Sequence, residues 1–325
     1  PLADSQRDLI GSWSAAGDWS KSVTLLQGLK NKRPKINFIH AKGTGIDDGD
    51  RSGFDEAVEA ARKADMVILA LGEAYWMSGE AASRSNIDLP GAQQELAKEI
   101  HAVGKPTVAV LMNGRPLTIN WLDEDIPAIL ETWFLGTTTG DAIADVLFGD
   151  VNPSGKLPVT FPRSVGQIPI HYDMRNTGRP FDADNKYTSK YLDVSNEPLY
   201  VFGHGLSYTT FDYSPLSLSS KKMIVSDSLK VSVTVTNTGD YEGEEVVQLY
   251  LHDKVASVAP PVRELKGFEK INLRPGESTE VTFTITNEDL KFYRKDMSYG
   301  SEPGEFRIFI GGNSRDTQSA EFVLE

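Results

Sequence analysis

An α/β half followed by an all-β sandwich is the fold class this sequence predicts, and three observations predict it. Up to Pro162, continuous apolar runs such as MVILALG alternate with amphipathic stretches such as FDEAVEAARKA. Strands that are apolar on both sides argue for a mostly parallel sheet with helices on both faces. Beyond residue 210 the apolar period shortens to two, and NTGD, RPGES and EPGE break it at turns, which is how a small antiparallel sandwich of fibronectin or immunoglobulin type reads. Between the halves, residues 163–210 are rich in Pro, Gly, Tyr and Asp without a sustained period; loops of that length are functional or packed over another domain. The predicted division is therefore residues 1–162, a connecting segment 163–210, and residues 211–325.

Each element follows from its pattern. KSVTLLQGLK (residues 21–30) predicts a short helix and KINFIHA (35–41) a strand after Pro34. FDEAVEAARKA sets Phe54, Ala57, Val58 and Ala61 on one helical face. A strand from Met66 follows, then a helix that opens at Pro90, stops at Gly104 and buries Leu96, Ile100 and Val103. TVAVLMNG, AILETWFLG and KLPVTF predict further strands, with GDAIADVLFGD the helix between the last two. In the second half, LKVSVTVTN, VTFTITN and FRIFIGG place alternate residues such as Val231, Phe283 and Ile308 on an inner face.

Bulk properties exclude several functions. The 325 residues carry 46 acidic and 33 basic side chains, a formal charge of −13 with no basic stripe, which argues against nucleic acid as a partner. Without cysteine there is neither a disulfide frame nor a thiolate metal site, and no apolar run approaches the ~20 residues that a membrane-crossing helix needs. No cofactor is expected, since P-loop, dinucleotide and G-x-S-x-G patterns are missing. His40, His101, His171, His204 and His252 lack metal-ligand spacing, and IDDGD (46–50) reads as a capped polar turn rather than a calcium loop. The opening PLADSQRDLIGSW reads as cut, whether as a processed terminus, an expressed fragment or a piece of a longer chain.

One loop carries the chemistry-bearing side chains. GEAYWMSGEAASRS (72–85) leaves an apolar strand at its carboxyl end, where open parallel sheets place their ligands. A carboxyl group that acts as general acid near neutral pH needs apolar cover, which Trp76 and Met77 could supply, and Gly79 lets the backbone approach a ligand. Glu73, tight against the strand, is expected to bond backbone or a basic neighbour. Glu80 reads either as a proton donor or as a solvated carboxylate paired with Arg84. Trp133 reads as a sugar platform or a packed core aromatic.

VLMNGRPL, AILETWFLGTTTGDAIADVLFGDVNPSGKLPVTFPRSVGQIPIHY and PLYVFGHGLSYTTF together resemble the C-terminal half of glycoside hydrolase family 3, of the bacterial periplasmic β-glucosidase type. The resemblance implies retaining hydrolysis of terminal β-D-glucosyl residues, with export to the periplasm or beyond. It implies an acid/base glutamate on the SGEAASRSNIDLP loop, which is Glu80, with Glu73 the fallback. It also implies a nucleophilic aspartate on an N-terminal (β/α)8 barrel that is not among these residues, so that this chain alone hydrolyses little or nothing. Tyr75, Trp76 and Ser78 are expected near the aglycone because they adjoin Glu80, and MRNTGRPFD is a further candidate for sugar contact. The partners so implied are a β-glucoside or oligosaccharide and the barrel, with a homodimer left open; the competing reading is a non-catalytic carbohydrate-binding or scaffold module.

Overall fold

The computed structural model describes residues 1–325, which divide into two compact units: one of residues 1–151 and 162–166, the other of residues 152–161 and 167–325.

The first unit is α/β. Its helices are α1 (Leu25–Lys32), α2 (Phe54–Lys63), α3 (Gln93–His101), α4 (Asn120–Asp125) and α5 (Thr139–Leu147), and its strands are β1 (Val67–Gly72), β2 (Thr107–Met112) and β3 (Ala128–Glu131). The strands pair in parallel in the order β1-β2-β3. Val110 and Met112 from β2, Ala70 from β1, Leu25 and Leu29 from α1, and Ile143 from α5 share one core. Helix α1 starts on a capping box, with Thr24 accepting from the Gln27 backbone and Gln27 answering to Thr24. Helices α1 and α5 approach so closely that a Cβ on Gly28 would stand 2.1 Å from the Gly140 carbonyl, so only glycine fits there.

Two predicted strands of this half do not form. Residues 35–41 are irregular, with Ile36 and Ile39 exposed, because no neighbouring strand takes up their backbone groups. KLPVTF contributes only an isolated bridge between Phe161 and Tyr200, and AILETWFLG ends as a strand at Glu131. The backbone turns away there because Trp133, at φ 53, has left the extended region.

The second unit holds the sandwich. One sheet is β10 (Ser278–Thr286), β7 (Ser228–Asn237) and β4 (Phe211–Tyr213), with β5 (Ser217–Leu218) also on β7. The other runs β6 (Lys222–Met223), β14 (Thr317–Leu324), β13 (Gly304–Gly311), β8 (Gly243–Asp253) and β9 (Glu264–Leu273), and a hairpin of β11 (Phe292–Tyr293) and β12 (Tyr299–Gly300) stands apart. The inner faces interdigitate through residues such as Val231, Val233, Leu249, Phe306 and Ile308. Residues 152–161 belong with this unit: Lys156 lies 3.1 Å from the buried Glu245, whose other oxygen accepts from Tyr213 at 3.0 Å. Burial, with Glu245 adding to it, drives the Tyr213 hydroxyl far above the ordinary tyrosine range. No helix of either unit is long and apolar enough to cross a membrane.

Candidate functional site: the loop after the first strand

The loop that follows β1 is anchored at its root. Gly72 has φ +139, and a Cβ there would meet the Met112 carbonyl at 2.0 Å, so the strand can turn out of the sheet only through glycine. Gln93 on α3 closes the turn by accepting from Gly72 N at 2.8 Å and donating to Gly72 O at 2.7 Å.

Glu73 then points inward. Its side chain is 0% exposed; one oxygen takes Arg84 Nη1 at 2.6 Å and lies 2.9 Å from Arg115 Nε, while the other accepts from Gly114 N at 3.1 Å. A carboxylate this deep persists only when paired and hydrogen-bonded, and here two guanidinium groups and a peptide N–H meet it. Glu73 thus bonds basic and backbone groups, as expected. Arg84, however, pairs with Glu73 and not with Glu80: the chain doubles back after residue 80 and brings Arg84 over the loop's root.

The tip is the opposite. Glu80 is exposed, and no hydrogen bond or ion pair within the chain engages its carboxylate. It sits between Gly79 at φ +111 and Ala81 at φ 59, a pair of left-handed residues that throws the intervening side chain outward. Apolar cover from its own loop is missing, because Met77 is buried beneath the loop and its sulfur accepts from Ala74 N at 3.4 Å.

The three neighbours expected beside the aglycone differ in what they expose. Trp76 is 53% exposed. Tyr75 is half-buried, with the Arg7 guanidinium stacked 3.4 Å over its ring and its backbone N–H held by Asp8 at 2.8 Å. Ser78 is buried, and its carbonyl accepts from Ser12 Oγ at 2.6 Å. Those contacts bring in a residue the sequence reading missed. A Cβ on Gly79 would stand 2.4 Å from Ser12 Oγ and 2.9 Å from the Trp13 indole nitrogen, so Trp13, which is 73% exposed, adjoins Gly79, the residue before Glu80. The only sequence signal was a tryptophan placed in a GSW turn.

Glu131, at the end of β3, is another group that was passed over. Its oxygens accept from Trp133 N at 3.0 Å and Asn113 Nδ2 at 3.2 Å. Burial pushes its carboxyl up to about 8 and the nearby Glu73 adds to this, against the pull of both hydrogen bonds. Trp133 itself is half-buried. A polar cleft of about 620 Å³ opens beside the loop, lined among others by Asp47, Arg84, Asp88 and Glu95, but Glu80 does not line it. In the second unit, Arg179, Phe181 and Tyr187 line a hollow of about 750 Å³. No group of three or more histidine and carboxylate side chains is arranged to hold a metal ion.

Comparison with known proteins gives a consistent picture. The sequence model of the glycosyl hydrolase family 3 C-terminal domain matches residues 1–208, and that of a fibronectin type III-like domain matches residues 245–314. The chain is 51% identical to the periplasmic β-glucosidase of Salmonella typhimurium over 100% of its own length and 45% of that protein. It is 43% identical to a β-xylosidase of Formosa agariphila, over 97% of this chain and 44% of the other. The crystal structure of a β-glucosidase from Listeria innocua in complex with isofagomine superposes with a TM-score of 0.94 at 41% identity, covering 100% of this chain and 45% of that one. The chain therefore spans less than half the length of these relatives.

Proposed function

Because the chain belongs to glycosyl hydrolase family 3, as an α/β C-terminal domain followed by a fibronectin type III-like domain, we propose that it is the part of a retaining β-glucosidase that supplies the acid/base carboxyl. That carboxyl is Glu80, and it serves a nucleophile on a (β/α)8 barrel outside these residues. Retaining hydrolysis needs two carboxyl groups roughly 5 to 5.5 Å apart. One attacks the anomeric carbon while the other gives its proton to the departing glycosidic oxygen. The second, now a carboxylate, then takes a proton from the water that releases the sugar from the first.

A single observation carries the assignment of Glu80: it is the carboxylate at the loop tip that has no partner of its own and is aimed outward by Gly79 and Ala81. Glu73 is ill suited, being committed to Arg84 and Arg115 with no exposed surface. Trp76, on the same loop, and Trp13, which adjoins Gly79, are both largely exposed, and indole rings suit the apolar side of a pyranose; Tyr75 and Ser78 lie on the same stretch of loop. Apolar cover for Glu80 would then come from the barrel and the substrate. Terminal β-D-glucosyl groups are the expected substrate class and the periplasm or the exterior the expected location, in line with the name of the Salmonella protein. The hollow at Arg179 keeps MRNTGRPFD a candidate for sugar contact.

The test uses an enzyme in which this chain is joined to its barrel. A general acid contributes about 10²- to 10⁴-fold, so Glu80→Ala should lose that much kcat/KM on an alkyl β-glucoside. It should lose far less on a dinitrophenyl β-glucoside, whose leaving group needs no proton. Azide should restore turnover on the activated substrate and give the β-glycosyl azide. Near-normal kinetics of Glu80→Ala on the alkyl glucoside would overturn the assignment.

A further inference from the structure

The segment that carries Glu80 is built from conformations that do not hold themselves. Gly79 and Ala81 both have positive φ, and left-handed backbone at a non-glycine residue persists only where its surroundings enforce it. Within the tip, Ala82 N donates to the Gly79 carbonyl at 3.4 Å; the ties from outside come largely from one side chain. Arg115, in the bend that follows β2, reaches under the loop with Nη2, which donates to the Met77 carbonyl and, at 2.8 Å, to the Ala82 carbonyl. Those two carbonyls bracket residues 78–81, so a single guanidinium nitrogen fixes both ends of the tip. Ser12 Oγ adds one outer tie, to the Ser78 carbonyl.

The guanidinium is itself fixed. Arg115 Nε faces Glu73 Oε1 at 2.9 Å, in ion-pair range although not aligned for a hydrogen bond, and Glu73 cannot turn away because Arg84 and Gly114 N hold it. Arg84 in turn donates to the Asp88 carbonyl at 2.9 Å and so secures the strand of chain returning from the tip. Arginine suits this task because its planar fork presents several donors at once in a fixed geometry, which a lysine cannot copy.

We propose that Arg115, supported by Glu73 and Arg84, is the positioning residue for the proton donor: it sets the height and direction of Glu80 without touching substrate. This rests on the reading of Glu80 as the acid/base. It explains why the loop's root holds a buried carboxylate that is never free to react. It also makes the tip a braced projection, in contrast to the mobile rim segment that a solvated loop of small residues would form.

The experiment compares Arg115→Lys with Glu80→Ala in the enzyme that unites this chain with its barrel. If Arg115 positions the donor, Arg115→Lys loses roughly 10- to 100-fold in kcat/KM on an alkyl β-glucoside but under about threefold on a dinitrophenyl β-glucoside, since a misplacement near 1 Å costs about that much for a step that depends on orientation. Hydrogen exchange should at the same time quicken at residues 78–82 and stay unchanged in β2. Equal losses on both substrates would mark Arg115 as merely structural, and no loss would mark it as irrelevant; either overturns the proposal. Should Arg115→Lys fold poorly, Arg84→Lys, one step further from the tip, must show the same leaving-group selectivity at smaller size. Ordinary kinetics for Glu80→Ala would sink both readings, whereas a selective Glu80→Ala beside an unselective Arg115→Lys sinks this one alone.

Discussion

Glu73 and Glu80 lie on one loop, and their surroundings could hardly differ more. The first is fully buried at the loop's root between two arginines and a peptide N–H; the second stands exposed at the tip with no partner in the chain. The difference teaches that one short loop can hold two kinds of carboxylate, one spent on electrostatic construction and one left unpaired; under the proposal above, the second is the proton donor. The sharpest way to break this contrast is to remove the root. Glu73→Ala strands Arg84 and Arg115, both mostly buried, around an uncompensated hole, and breaking a buried pair in this manner costs about 3 to 5 kcal/mol. Denaturant unfolding of the chain should show that loss in the α/β unit. A loss below about 1 kcal/mol would mean that the root is a surface feature and that the contrast is false.

Glu131 sharpens the same comparison, because it is a third carboxyl group at the sheet's edge and has no cation of its own. Burial and the charge on Glu73 raise it from an ordinary 4.5 to about 8. The folded chain therefore keeps a proton that the unfolded chain has already released above 4.5. Its stabilisation is complete below that value and is lost as the pH climbs through 8. Glu131→Gln keeps the size of the side chain and removes the titration; its single carbonyl can accept from only one of Trp133 N and Asn113 Nδ2, a loss that is the same at every pH. The Tm of the variant, minus that of the parent, should rise steadily between pH 5 and pH 8. Parallel Tm curves across that window would show that Glu131 is ionised in the fold and shares the root's ion network after all.

Much of the architecture was legible because burial leaves a period. Ala57 and Ala61 on α2, and Leu96 and Ile100 on α3, are buried as their spacing implied, and β1 and β2 follow their apolar runs. The pattern failed where apolar character and strand pairing part company. KINFIHA has the composition of a strand but no ladder partner, so Ile36 and Ile39 face solvent. Conversely β8, GEEVVQLYLHD, lies inside a sheet yet alternates only at its start and then buries Val247 to Leu251 without a break, and β9 exposes Phe268 from a sheet edge. The loop's place after β1 could be read from the strand it leaves. Its wiring could not, because the partners of Glu73 lie 11 and 42 positions away in sequence, at Arg84 and Arg115, and Trp13 comes to Gly79 from the far end of the unit. Such contacts depend on the path of the chain through space, and local spacing holds no record of it.

The smallest expected effect is the most informative about the tip. Glu80 makes no contact that folding needs, so Glu80→Ala should change the stability of the chain by no more than about 0.5 kcal/mol, the usual range for a surface substitution. It would even relieve a little of the formal charge of −13. Measured on this chain alone, beside Glu73→Ala, it separates construction from chemistry without any assay of activity. A stability loss of about 1 kcal/mol or more would mean that the Glu80 carboxylate has a structural partner in solution. The proposed donor would then not be free, and the division of labour between the two glutamates would fail. A negligible loss removes misfolding as the cause of any kinetic defect of Glu80→Ala in the barrel-bearing enzyme, and leaves the dependence on leaving group to test the proposed proton donor.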